Sequence, residues 1–254
     1  MLTILTALPW EASAFSRRLR RPRRVELGDG WATWGERKGA GVWVVVSGPG
    51  MERAAATGAA LTSLDPPASR LLAVGVAGGM RAGLAPGTVV LAEAFQRQGR
   101  GGQRVGERLQ PDKDLAALGV EALDRARVPW TRGESLTVAA PLRRAEEKRD
   151  RGSRSQASVV QMEDYLWAEA AGELGLPFTS LRAVLDPVEA DLPSAVESWD
   201  WRGPSVSEVA RSLLRGPSLA LALPRLAWRR RAARRAIDAV LEALVDTPRQ
   251  GAHA

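Results

Sequence analysis

Short runs of apolar residues, each closed by glycine, proline or polar residues, recur along most of the chain. Runs of this length are typical of buried strands. The strands predicted in this way cover residues 2–8, 31–34, 42–46, 71–76, 87–94, 135–140 and 178–185. The second and third of them are predicted to form a hairpin or two successive strands.

Longer stretches between these runs have helical character or are strongly polar. Helices are predicted over residues 52–64, over residues 115–127, and from Met162 to about Leu174. Residues 97–114 are rich in glycine and arginine and are interpreted as a loop, and residues 143–155 as a charged connection.

The alternation of strands and helices along the chain indicates the fold class. Such alternation with short turns is typical of a mainly parallel sheet that helices cover on both faces. We find neither an internal repeat nor a low-complexity linker. We therefore predict a single three-layer α/β domain with a central, mostly parallel mixed sheet over residues 1–195. Residues 196–254 are predicted to be a C-terminal helical extension of the same domain.

Composition narrows the chemistry that the chain can perform. The sequence contains no cysteine and a single histidine, His253. This excludes disulfides, thiolate metal sites and cysteine nucleophiles, and it argues against a Ser-His-Asp triad or a histidine-based metal site. Any catalysis is expected to use carboxylates, arginines, hydroxyls and backbone amides, with no metal ion.

The net charge of +7 is carried mostly by arginine. Such a charge is compatible with nucleic acid or an anionic membrane surface, but no basic patch interleaved with aromatic residues is present. We interpret most of the charge as solvated surface and expect no nucleic-acid partner. The apolar start of the chain has no basic leader or cleavage site, and no run of about eighteen apolar residues occurs, so a cytoplasmic location is expected.

Candidate functional residues lie where predicted strands end. In open α/β sheets, ligands bind at the carboxyl ends of the strands. The candidates at these ends are Glu11, the turn Ser47-Gly48-Pro49-Gly50, the pair Gly78-Gly79, Arg182 and Asp186, and the pair Met162-Glu163 begins a helix. Each has an ordinary alternative as a turn, a helix cap, an ion-pair partner or core filler, so only their joint placement indicates a site.

Five segments in order, ALPWE, SGPGMERAAA, VGVAGGMRAGLAPGTVVLAE, VVQMED and LPFTSLRAVLD, carry a family resemblance. Together they resemble the nucleoside phosphorylases and the methylthioadenosine/S-adenosylhomocysteine nucleosidases. The resemblance runs from about Leu2 to Asp191. It implies a nucleoside phosphorylase-like fold and an enzyme that cleaves a purine N-glycosidic bond.

The resemblance also implies a role for each candidate residue. Asp186 matches the carboxylate that protonates N7 of the purine, and Glu11 the residue that positions and deprotonates an attacking water. Arg182 and Ser47 match groups beside the nucleophile. The remaining matches concern substrate binding: Met162 and Glu163 contact the ribose, Gly78 and Gly79 let the purine approach the backbone, and Gly48 and Gly50 belong to the ligand-binding turn.

Two positions depart from the family pattern. Asp164 stands where a small residue often follows the Met-Glu pair, and Leu185 replaces a serine that often precedes the catalytic aspartate. Both neighbour the expected site. A member that binds a nucleoside without cleaving it therefore remains an alternative to an enzyme.

The C-terminal segment distinguishes between substrates. A Leu-Leu-Arg-x-Pro stretch followed by a leucine-rich helix resembles the hopanoid-associated phosphorylases, which implies adenosylhopane as substrate and adenine as product. Six arginines lie within residues 220–244: Arg225, Arg229, Arg230, Arg231, Arg234 and Arg235. A basic amphipathic segment of this kind can lie on an anionic bilayer, which predicts a peripheral contact with the inner membrane face. The alternatives are an ordinary surface helix and a methylthioadenosine-type nucleosidase.

The attacking group is left open by the sequence. Glu11 favours water, whereas the hopanoid subgroup favours inorganic phosphate as a co-substrate. No cofactor is expected. Related enzymes are commonly dimers or larger, so a homo-oligomer is expected as well.

Overall fold

The computed structural model describes residues 1–99, 101–192 and 218–246. Within these ranges the strands are β1 (Leu2–Thr6), β2 (Arg20–Leu27), β3 (Gly30–Arg37), β4 (Ala40–Val46), β5 (Arg70–Gly79), β6 (Val89–Arg97), β7 (Trp130–Thr137), β8 (Val159–Gln161) and β9 (Phe178–Asp186). The helices are α1 (Ser13–Ser16), α2 (Met51–Ala60), α3 (Lys113–Ala126), α4 (Ala145–Ser155), α5 (Asp164–Glu173) and α6 (Ser218–Val245).

One mixed sheet contains all of these strands, in the order β2-β3-β4-β1-β5-β8-β7-β6-β9. The central pairs β1–β4, β1–β5 and β5–β9 are parallel, and β3–β4 is the expected hairpin. Strand β9 pairs with both β6 and β5, so the strands from β5 to β9 close into a ring. Strand β5 is the central strand of the molecule, because it is hydrogen-bonded to β1, β8 and β9.

Helices cover both faces of the sheet. On one face, α3 and α6 pack over a core that includes Val74 and Leu181. On the other face, α2 and α5 pack over a core that includes the buried indoles of Trp43 and Trp167. The predicted three-layer α/β architecture is therefore confirmed.

Helix α6 contributes to the main core. Its residues Ala233, Ile237, Val240 and Leu241 are buried against α3 and β9. Glu242 also forms ion pairs with arginines of the α1 and β3 regions. None of the described helices has the length and apolar character that a membrane span requires.

Three elements differ from the sequence predictions, and each is polar. Strand β2 was not predicted, because its arginine-rich sequence is almost entirely exposed at the edge of the sheet and carries no apolar signal. The predicted charged connection contains helix α4, which buries only Ala145, Lys148 and Gly152. The predicted loop over residues 97–114 pairs with β6 through the bridge between Phe95 and Leu109, and α3 begins within it.

Candidate active site

Glu11 lies in the turn after β1 with its carboxylate directed toward the end of β5. One oxygen accepts hydrogen bonds from the amides of Ala7 (3.0 Å) and Leu8 (2.8 Å), and the other accepts from the amide of Val76 in β5 (2.8 Å). The side chain is only 1% exposed. Backbone groups of two neighbouring strands therefore fix this carboxylate in one orientation.

Arg182 projects from β9 and is also 1% exposed. Its closest partner is Asp164, whose Oδ1 accepts from Nε (3.0 Å) and from Nη2 (2.5 Å). Glu163 is a second, more distant partner at 3.7 Å. The remaining nitrogen, Nη1, has no hydrogen-bond partner among the described residues, so a donor nitrogen of a buried guanidinium is available to a ligand.

Gly75 of β5 makes room for both charged groups. A Cβ atom at this position would lie 2.6 Å from Nη1 of Arg182 and 2.7 Å from Oε1 of Glu11. Real Cβ atoms do not approach other atoms this closely, so the absence of a side chain at Gly75 is what lets the guanidinium and the carboxylate face the same point.

Asp164 begins α5 and is completely buried. Besides Arg182, it accepts hydrogen bonds from the hydroxyls of Ser135 and Ser180, both at 2.8 Å. The departure from the family pattern at this position is therefore a fully satisfied counter-ion of the arginine. Buried charge is tolerated when it is paired and hydrogen-bonded in this way.

The predicted ribose pair contacts the predicted ligand-binding turn. Glu163 accepts a hydrogen bond from the amide of Gly50 at 2.9 Å, and the methyl group of Met162 lies 3.8 Å from the position that a Gly50 Cβ would take. Gly50 has a φ of 105°, which favours glycine and directs this amide toward the carboxylate. Ser47 is buried, and its hydroxyl donates to the Gly48 carbonyl (2.6 Å).

Asp186 ends β9 opposite Gly78 of β5. A Cβ on Gly78 would lie 3.2 Å from Oδ2 of this aspartate, so the carboxylate lies against the bare backbone of the strand. Oδ2 also accepts a hydrogen bond from the ammonium of Lys148 at 2.7 Å, and both side chains are buried. Gly79, the next predicted contact, lies against Pro187 and Val184.

Burial raises the pKa of three carboxyl groups, those of Glu11, Glu163 and Asp186, although neighbouring cations and amides oppose the shift. The pKa of Glu11 rises to about 7 because desolvation outweighs Arg182 and the amides of Leu8 and Val76. The pKa of Asp186 rises to about 6 because desolvation outweighs Lys148 and Arg229. Desolvation also raises the pKa of Glu163, although the positive charge of Arg182 opposes this shift. Two carboxyl groups thus titrate near neutral pH, as acid–base catalysis requires.

The candidate residues gather around the carboxyl end of β5. Glu11 binds its Val76 amide, Asp186 faces its Gly78, and Arg182 reaches the space above its Gly75. Sequence reasoning missed Gly75 and Lys148 because their partners lie far away along the chain.

Two surface cavities, of about 420 and 340 Å³, are lined by none of the predicted site residues. In the described part of the chain, no cluster of three or more acidic or histidine side chains is arranged to hold a metal ion.

Comparison with known proteins identifies the family. Residues 2–216 match the phosphorylase superfamily. No curated protein is detectably similar in sequence.

Solved structures share the fold at low sequence identity. The nucleosidase that acts on 5'-methylthioadenosine and S-adenosylhomocysteine from Neisseria meningitidis, in complex with methylthio-immucillin-A, is 17% identical. It superposes with a TM-score of 0.74 over 96% of this chain and 97% of its own. A futalosine hydrolase mutant from Helicobacter pylori gives 17% identity and a TM-score of 0.73 over 96% and 98% of the two chains. The corresponding nucleosidase from Colwellia psychrerythraea, in complex with adenine, is 21% identical to this chain. It superposes with a TM-score of 0.69 over 84% of this chain and 93% of its own.

The geometry at Gly75 generates a stability prediction. Gly75→Ala is expected to lower the free energy of unfolding by roughly 1–3 kcal/mol, because the new methyl group must displace two buried charged side chains. Chemical denaturation measures this change.

Gly172→Ala is the matched control, since a Cβ there meets no atom within 4 Å and the residue lies inside α5. This substitution is expected to be neutral or to stabilise by about 0.4–1 kcal/mol. Equal effects of the two substitutions would contradict the close packing of Glu11 and Arg182 over Gly75.

Proposed function

The chain belongs to the phosphorylase superfamily, and on this premise we propose that it cleaves the bond between adenine and ribose in a nucleoside, with water as the attacking group. The observation that carries the proposal is the placement of two buried carboxyl groups, with pKa values near neutrality, beside the carboxyl end of β5. One of them acts as the acid at the purine and the other as the base toward water.

Asp186 is the proposed general acid. Protonation of N7 turns the purine into a neutral leaving group as the glycosidic bond breaks. The raised pKa of Asp186 supports this role, because part of the population carries a proton close to neutral pH. The absence of a side chain at Gly78 lets the Asp186 carboxylate lie directly against the backbone of β5.

Glu11 is the proposed general base. Its three amide partners hold both carboxylate oxygens in place, and its raised pKa gives it enough basicity to take a proton from water near pH 7. The unpartnered Nη1 of Arg182 faces the same point above Gly75. A water molecule at that point would donate to the carboxylate and accept from the guanidinium.

The charge around Arg182 favours water over phosphate. Asp164 engages two of its nitrogens, Glu163 lies 3.7 Å away, and Glu11 also interacts with it. Three acidic side chains thus share one arginine, so the site has no surplus of positive charge that would hold a phosphate dianion. The positively charged ribosyl group of the transition state would be stabilised by these acidic groups.

Met162 and Glu163 are proposed to hold the ribose. The half-buried thioether offers an apolar surface to the sugar ring, and the carboxylate can accept from its hydroxyls. The adenine specificity is supported by two of the similar structures, one with bound adenine and one with methylthio-immucillin-A. Futalosine hydrolase, which has the same fold, is another hydrolase.

The group at the 5' position is proposed to be a hopane, as the resemblance of the C-terminal segment implies. Helix α6 lies near two parts of the site. Arg230 stacks on Trp10, the neighbour of Glu11, at 4.7 Å, and the positive charge of Arg229 partly opposes the rise in the pKa of Asp186. The part of the segment before Ser218 lies outside the described residues. A small substituent, as in methylthioadenosine, is the second candidate, and the two similar nucleosidase structures favour it.

An exposed stripe on α6 supports a membrane contact. It consists of Arg225, Trp228, Arg231 and Arg235, which follow one another at helical spacing, and Trp228 is 59% exposed. A tryptophan among arginines suits the interface of an anionic bilayer. Of the leucines in the first part of α6, Leu223 is half-buried, and the side chains of Leu219 and Leu221 lie outside the described residues.

Nucleoside cleavage is tested directly by adenine release. The wild-type protein is expected to release adenine from adenosylhopane or from methylthioadenosine, as followed by mass spectrometry. Asp186→Asn and Glu11→Gln are each expected to lower turnover by roughly a hundredfold to ten-thousandfold, the usual contribution of an acid or a base.

Glu93→Gln, an exposed acid of β6, is the matched control and should retain full activity. Tight nucleoside binding without any release of adenine by the wild type would instead identify a non-catalytic member.

The pKa values predict the pH dependence of kcat/KM. Glu11 must be ionised, and its ionised fraction falls as the pH drops below about 7, whereas Asp186 must be protonated, and its protonated fraction falls as the pH rises above about 6. We expect a narrow bell with its maximum between these values, because the base titrates above the acid and only a minor form is productive. A profile that is flat through this range would rule out the two assignments.

Vesicle binding tests the stripe on α6. Co-sedimentation with anionic phosphatidylserine vesicles at low salt is expected, and replacing Arg225, Arg231 and Arg235 with glutamine should weaken it, at about 1 kcal/mol per arginine. Neutral phosphatidylcholine vesicles are the control. The same sedimentation with both lipids, or with neither, would reject the membrane contact.

A further inference from the structure

Lys148 is a fully buried lysine whose three N–H donors are all used. Its ammonium donates to Oδ2 of Asp186 at 2.7 Å, to the Pro187 carbonyl at 2.8 Å and to the Ala190 carbonyl at 2.7 Å. An ammonium has three donors. Lys148 is thus saturated by one short segment, which begins with the proposed acid.

The helix that carries Lys148 is held closely against this part of the molecule. The amide of Ala145, at the start of α4, donates to Oδ1 of Asp191 at 2.7 Å. Gly152 lies about one helical turn after Lys148, and a Cβ at this position would lie 2.5 Å from the Met80 carbonyl oxygen. Contacts at both ends of α4 therefore fix where the lysine enters the site.

Stability alone does not account for a buried ammonium at this place. Removing two charges from water is costly, and well-packed apolar residues often replace a buried ion pair without loss of stability. Two carbonyl groups need only neutral donors. The feature that specifically requires a positive charge is the carboxylate of Asp186.

We propose that Lys148 is a positioning residue for Asp186, which orients its carboxyl group and stabilises the anion that proton transfer leaves behind. This inference rests on the proposed function. As the glycosidic bond breaks, its electron pair goes to the purine, the proton of Asp186 moves to N7, and water bonds to the ribosyl carbon and gives its proton to Glu11. Asp186 is then a carboxylate, and the ammonium of Lys148 remains protonated throughout.

The contacts distinguish the two carboxyl oxygens of Asp186. Oδ2 is held by the lysine, so Oδ1 is the oxygen directed to the purine. Within the described residues, two cations from two helices act on Asp186, Lys148 of α4 and Arg229 of α6. Only Lys148 is hydrogen-bonded to it, and it is the one expected to set the orientation of the carboxyl group.

The test compares Lys148→Met with Lys148→Arg. The methionine variant is expected to lose roughly tenfold or more in kcat, part of what a general acid contributes, with little change in KM. The dependence on Asp186 should move to higher pH by about one unit or more, since a cation at this distance lowers a carboxyl pKa by roughly one to three units, and the maximum of the bell should move in the same direction by about half as much. The arginine variant keeps the charge and should recover part of kcat and of the original profile.

Lys113→Met, an exposed lysine at the start of α3, is the matched control and should behave as the wild type. Equal losses in both Lys148 variants with an unmoved pH profile would show a purely structural role and overturn the proposal. A methionine variant with wild-type kcat would overturn it as well.

A titration of Asp186 by carbon-13 NMR separates this inference from the proposed function. With aspartate labelled at the carboxyl carbon and the signal assigned by Asp186→Asn, the pKa of Asp186 should be higher in Lys148→Met than in the wild type. An unchanged pKa in an active enzyme overturns the role of Lys148 alone. A wild type that cleaves no nucleoside overturns the proposed function, and the catalytic role of Lys148 with it, whatever the titration shows.

Discussion

A charged arginine buried among acidic side chains determines the arrangement of the carboxyl edge of the sheet. Arg182 has almost no contact with solvent, so its charge must be compensated by protein groups. Asp164 provides most of this compensation through two hydrogen bonds, and Ser135 and Ser180 hold the aspartate in place. The first residue of α5 is thereby tied to β9 and β7, and this tie positions the neighbouring Glu163.

The acidic side chains that compensate the charge of Arg182 also determine which nucleophile this edge of the sheet favours. With Asp164 and Glu163 beside it, the arginine presents one free donor and no net positive charge to a ligand. A neutral nucleophile is compatible with that environment, and a cation-like sugar is stabilised by it. Lys148 provides the only cation hydrogen-bonded to Asp186 among the described residues. The proposed base and the proposed acid thus lie near different cations, Glu11 near Arg182 and Asp186 beside Lys148.

The sequence predicts the parts of this arrangement that have a local signal. Strands β1, β5 and β9 are buried on both faces, so each appears as a mostly apolar run, and residues at their ends could be assigned to one edge. Strand β2 and helix α4 have no such signal, because they are mostly solvent-exposed. The partner of Lys148 lies 38 residues away, a distance at which single-sequence reasoning gives no information. Asp164 was recognised as unusual, but only the fold shows that it is the counter-ion of Arg182.

The most direct test of the account is the identity of the attacking group. The reaction is run in water labelled with oxygen-18, with inorganic phosphate present at high concentration, and the sugar product is analysed by mass spectrometry. The neutralised Arg182 predicts a free sugar that carries one labelled oxygen at its anomeric carbon, at a rate independent of phosphate. A sugar 1-phosphate without label would contradict the account, because it would require a cationic site that Asp164 and Glu163 are argued to exclude.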